Sequence, residues 1–125
     1  MADITFTGNK MLKSINKEWC TKFPYLYLSF YKADGKVQGS WTETHASIRG
    51  KKDASELSTN ASMHVKTFES RYEEAYGSKV EIKFIKGEKA YHTNEEHDNL
   101  TLAELNNMAK EKGGIEVMKL HPDWF

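Results

Sequence analysis

The chain has one cysteine, two prolines and no surplus of charge: eighteen lysines and arginines stand against eighteen acidic residues. A single cysteine, Cys20, cannot close an internal disulfide, so the fold rests on its core, and a lone thiol suits a reducing compartment. Zero net charge removes the long-range field that draws proteins to nucleic acid or anionic lipid. No apolar run reaches membrane-spanning length, and the opening MADITFTGNK lacks the apolar centre of a signal peptide. The expectation is a cytoplasmic protein that makes no membrane contact. Nucleophile elbows, phosphate loops and dinucleotide fingerprints are also missing; the glycines of GSWTETHASIRG stand too far apart for either phosphate motif. No cofactor is expected.

What is present suffices for one core. The 125 residues are 38% hydrophobic and include three tryptophans, six tyrosines and six phenylalanines, enough large apolar surface for a single domain over 1–125. Residues 1–62 carry nine basic and six acidic groups, residues 63–125 nine and twelve, so the halves differ modestly in sign.

A pattern is written twice. Leu12, Ile15, Trp19 and Phe23 follow the period of one helix face, with Lys13, Asn16, Lys17 and Lys22 opposite. Pro24 ends that helix by biasing Phe23 away from helical backbone. YLYLSFY then alternates: Leu26, Leu28 and Phe30 on one face, Tyr25, Tyr27, Ser29 and Tyr31 on the other. Asp34-Gly35 signals a hairpin. Fifty-three residues on from Leu12, Val65 with Phe68, Tyr72 and Tyr76 repeats the helix stripe, Gly77 replaces the proline, and Val80, Ile82 and Phe84 repeat the inward strand face. Ser14 and Thr67 match as hydroxyls able to cap the two helix starts. A turn at Gly87 leads into KAYH.

Each copy opens on a strand candidate, DITFT or ELSTN, and closes on a short helix, THASIRG or TLAELNN. The second short helix has Thr101 and Glu104 in capping-box spacing before Leu102, Leu105 and Met108. GIEVMKL then reads as a last strand over 114–120. The fold class is α+β: two related strand–helix–hairpin–short-helix halves, 3–52 and 56–112, plus a final strand, with the helices on an antiparallel or mixed sheet.

The second half, VKTFESRYEEAYG through KVEIKFIKGEK and LTLAEL to IEVMKL, resembles the helix, hairpin, short helix and last strand of ubiquitin-like β-grasp domains. The whole chain is similar to small uncharacterised bacterial proteins with a T-L-A-S-I-R type element after each strand–helix–hairpin unit, here THASIRG and TLAELNN. The β-grasp likeness implies a β-grasp-like sheet, but HPDWF lacks the diglycine tail of a conjugated modifier. Neither resemblance supplies a functional residue.

Candidate chemistry is sparse. His92, Glu95 and His97 offer transition-metal ligands, yet neither an i, i+4 pair nor the HExxH spacing is present, and a solvated loop accounts for them; no metal is assigned. Cys20 lies past mid-helix beside Trp19, without a base to form a thiolate, and reads as a small buried hydrophobe. Tyr25, Tyr27 and Tyr31 have no counterpart in the second copy; beside Arg49, Lys51 and Lys52 they form an aromatic and basic surface. Trp124 and Phe125 end the chain beyond a proline and either fold back or dock on a partner. The function expected is a non-enzymatic protein-binding module, with a homodimer among its forms, using those eight residues. Two alternatives stay open: single-stranded nucleic-acid binding by the tyrosine face and basic loop, and a small metal-dependent or other enzyme around His92 and His97.

Overall fold

Both apolar stripes fold as helices. In a computed structural model, which describes residues 4, 6, 8–32, 38–49, 57, 59–87, 89–93 and 95–122, α1 (Leu12–Lys22) buries Leu12, Ile15, Asn16, Trp19 and Cys20. The second long helix, Val65–Tyr76, buries Val65, Phe68, Tyr72 and Tyr76. Gly77 ends it at φ 66°, a left-handed conformation that costs glycine little.

The alternating segments form an antiparallel sheet of β1 (Tyr27–Phe30), β2 (Val80–Lys86) and β3 (Lys89–His92), in that order. Leu28 lies opposite Ile82 and Ser29 opposite Glu81; Lys83 faces both Tyr27 and His92. A bridge from Tyr31 to Gln38 and a Gly39 N–H bond to the Phe30 carbonyl (2.7 Å) extend the sheet beyond β1. The Asp34-Gly35 turn lies outside the described residues.

Leu26, Leu28, Phe30, Val80, Ile82 and Phe84 turn toward the two long helices, and all are at most 8% exposed. Each such side chain contributes roughly 1.5–3 kcal/mol by leaving water. Ile4 and Thr59, from the two upstream strand candidates, meet in one antiparallel bridge.

The helix starts differ from expectation. Neither Ser14 nor Thr67 caps; the N-caps are Met11 and His64, without side-chain bonds. Backbone carbonyls do the work instead, in the same way in both halves. Glu43 and Trp41 accept from Leu12 and Lys13 of α1 (2.9 and 3.0 Å), while Leu100 and Asp98 accept from Val65 and Lys66 (2.9 and 3.4 Å). In return His45 and Ala46, at the start of α2 (His45–Ile48), donate to Lys10 and Gly8. With the Val65–Tyr76 helix numbered α3, Leu102 and Ala103 at the start of α4 (Leu102–Glu111) likewise donate to Met63 and Ala61. The turn before each of α2 and α4 thus accepts from orphan donors of the long helix, and the turn before the long helix accepts from theirs in return. The Thr101–Glu104 capping box forms in full.

The final strand does not. Gly114 makes a single bridge to Lys86 and Ile115 one bond to Ile85, then Val117–Leu120 turns as α5. The reason is non-local: the Val117 N–H bonds the Pro24 carbonyl (3.0 Å) and its side chain is fully buried, drawing the chain off the sheet edge. Among the described residues, no helix is long and apolar enough to cross a membrane.

Candidate functional site

With α1 and α3 on one sheet face, alternation sends Tyr27, Ser29 and Tyr31 of β1, and Glu81, Lys83 and Ile85 of β2, to the other. A cleft of about 370 Å³ opens there, with Tyr27, Phe30 and Lys83 from the strands and Gln38, Gly39, Ser40 and Trp41 from the segment that follows the first hairpin.

The lip of the cleft is held from below. Trp41 and Glu43 carry the carbonyls that close the α1 N-terminus, so their backbone is tied to a long helix. The Glu43 carboxylate accepts the Ser40 N–H (2.7 Å) and pairs with Lys32 (3.6 Å). Gln38 donates its side-chain amide to the Ser29 hydroxyl. Burial, with Tyr31 adding, pushes the Tyr27 phenol up to about 12, so it stays a neutral hydroxyl. Lys79 is paired with Glu81 (3.3 Å). Lys83, half-buried, has no such carboxylate among the described residues.

The three tyrosines do not make one platform. Tyr27 is 5% exposed, Tyr31 is half-buried under the Lys79 ammonium (5.8 Å), and Tyr25 precedes the strand with its N–H on the Asn106 side chain (3.0 Å). Arg49 leaves the expected basic loop for the interior edge. Lys51, Lys52, Trp124 and Phe125 lie outside the described residues. His92 and His97 are not brought together: His92 stands on β3 opposite Lys83, whereas His97 meets the ring of Phe84, on the helix side, at 6.4 Å. Glu95 falls in the 3₁₀ turn Glu95–His97, and its side chain lies outside the description. Among the described residues no group of three or more His, Cys, Asp or Glu side chains converges as a metal site. Cys20 is 1% exposed, with its thiol 3.2 Å from the Leu26 carbonyl and pushed up to about 12 by burial.

A second polar group escaped the sequence reading. His45 is fully buried among Phe6, Phe30, Tyr72 and Tyr76. Arg49 donates from Nε to His45 Nδ1 (3.0 Å), stacks on Tyr76 (4.7 Å) and also reaches the Phe6 carbonyl. Because a guanidinium only donates, the imidazole proton sits on Nε2 and is given to Tyr72 Oη (2.7 Å). Burial, then the Arg49 charge, lowers the His45 pKa to about 3. The signal was available. His45 stands where Leu102 stands in the second copy, at the first position of a short helix and facing the core. His45, Tyr72 and Tyr76 are fully buried and Arg49 partly so, and the cluster ties α2, α3 and the Phe6 segment together.

No protein-family model matches the chain, nor does any curated protein or solved structure.

Proposed function

We propose that the chain is a non-enzymatic, cytoplasmic binding module for other proteins, and that it binds through the second sheet face at the Trp41–Lys83 cleft. The supporting observation is the half-buried Lys83 ammonium, unneutralised by any described carboxylate, within one cleft with an indole and a phenol. A charge left without a partner in a partly dry site is a cost that a bound group of opposite charge removes. The single cysteine and the one fully buried histidine among the described residues, Cys20 and His45, are packed away, one as a protonated thiol and the other as a neutral imidazole bonded on both nitrogens. That favours binding over catalysis.

The test uses the whole chain with a double variant, Trp41→Ala with Lys83→Ala, whose unfolding temperature is first matched to wild type. A protein that associates with the wild type and is lost by the variant, alongside sedimentation that reports any self-association, supports the reading. Equal association by both, or binding only of single-stranded oligonucleotides, overturns it.

A further inference from the structure

We infer that the cleft takes a carboxylate, presented as an Asp or Glu side chain in an extended segment of a partner protein; this rests on the binding reading above. Lys83 supplies a positive charge; Gln38, whose amide also donates to the Ser29 hydroxyl, and Ser40, whose hydroxyl lies 3.2 Å from that of Thr42, line the same cleft. Ammonium–carboxylate bonds are shorter and stronger than neutral ones, and partial burial of Lys83 strengthens them further.

Charge balance selects carboxylate over phosphate. Among the described residues that line the cleft Lys83 is the one cation, and its single ammonium neutralises the single charge of a carboxylate, whereas a phosphate dianion would keep a net negative charge beside Glu81, which faces the same way and is held by Lys79. Sites for phosphate typically gather several cations or an arginine fork, and Arg49, the nearest arginine in sequence, is committed to His45 and Tyr76. Size limits the occupant too. A volume of about 370 Å³ is near the lower end of ligand clefts, enough for one or two residues and not for a helix. Trp41, partly exposed at the cleft, gives the flanking residue an apolar surface, so the best segment pairs an acidic residue with an aliphatic or aromatic neighbour.

The experiment follows backbone and indole N–H signals of the full chain by NMR while blocked peptides are added. The probes are a Gly-Glu-Leu-Gly peptide, its Gln counterpart, a phosphoserine counterpart and sodium glutarate. Saturable shifts at Ser40, Trp41 and Lys83 are expected with the Glu peptide, and about tenfold weaker ones with the Gln peptide, the loss typical of one charge-assisted contact. Lys83→Met should show the same tenfold loss, while Lys17→Met, on the solvent side of α1, should bind as wild type. Equal binding of the Gln peptide, tighter binding of the phosphoserine peptide, glutarate binding as well as the peptide, or an unaffected Lys83→Met would each overturn the inference. If a protein partner still depends on Trp41 while Lys83→Met binds normally, only the carboxylate assignment fails. If neither residue matters, the site itself is wrong.

Discussion

His45 and Glu69 pull stability in opposite directions with pH, and separating them tests how the interior is built. His45 falls from 6.5 to about 3 in the fold, chiefly by burial and then by Arg49. A depressed base contributes fully above its unfolded pKa and loses that contribution as pH falls toward the folded value. At about 1.4 kcal/mol per pKa unit, lowering the pH from 7 to 4.5 crosses the two units below 6.5 and costs roughly 2.5 kcal/mol at this site. Glu69, on α3, rises from 4.5 to about 7 through burial, then Asp98 and Glu81, partly offset by Lys79. A raised acid is the reverse case: its contribution is present below 4.5 and lost as pH rises to 7. The same acidification therefore returns at most about 2 kcal/mol after allowance for partial solvent exposure. The wild type should change little over this window from these two sites. Glu69→Gln should lose about 2.5 kcal/mol on going from pH 7 to 4.5, and His45→Leu should gain about 2 kcal/mol. Urea unfolding at half-unit pH steps measures both slopes, and only slopes matter, since His45→Leu also leaves Tyr72 and Arg49 short of a partner. A flat profile for Glu69→Gln, or a His45→Leu slope equal to wild type, would refute the assignment.

Other perturbations act locally. A Cβ at Gly39 would sit 2.9 Å from Leu12 Cδ1 and 3.3 Å from Ile48 Cγ2, both fully buried. Gly39→Ala should therefore destabilise by about 1–3 kcal/mol in thermal unfolding, as overpacking does. Thr101→Ala removes a complete capping box and should cost about 1 kcal/mol with unchanged fold by circular dichroism. Cys20 should resist Ellman's reagent at pH 8 until denaturant opens the core; rapid labelling of the native chain would contradict its burial.

Much of the architecture was legible because period reports burial. Leu12, Ile15, Trp19 and Phe23, and their counterparts from Val65 to Tyr76, were placed from spacing alone, and each proved buried. What failed depended on partners far along the chain. GIEVMKL alternates like a strand over a length too short to discriminate, and its fate is decided by Pro24, to which Val117 donates. Ser14 and Thr67 look like caps, but the carbonyls of Trp41, Glu43, Asp98 and Leu100, distant in sequence, are the acceptors. His45 was passed over because its partner Tyr72 is 27 residues away. The cleft was half legible: the unrepeated Tyr27 and Tyr31 lie on the sheet face where it opens, yet Tyr27 is mostly covered, and the lip comes from Gln38, Ser40 and Trp41, which carry no periodic signal.

The most direct test is a lysine-acetylation footprint of the chain alone and in complex with whatever protein it retains. The account predicts that Lys83 becomes protected on binding and that Trp41 is shielded from oxidation with it, while Lys17 on α1 and Lys110 on α4 react as before. Protection confined to those helices, with Lys83 still reactive in the complex, would contradict it.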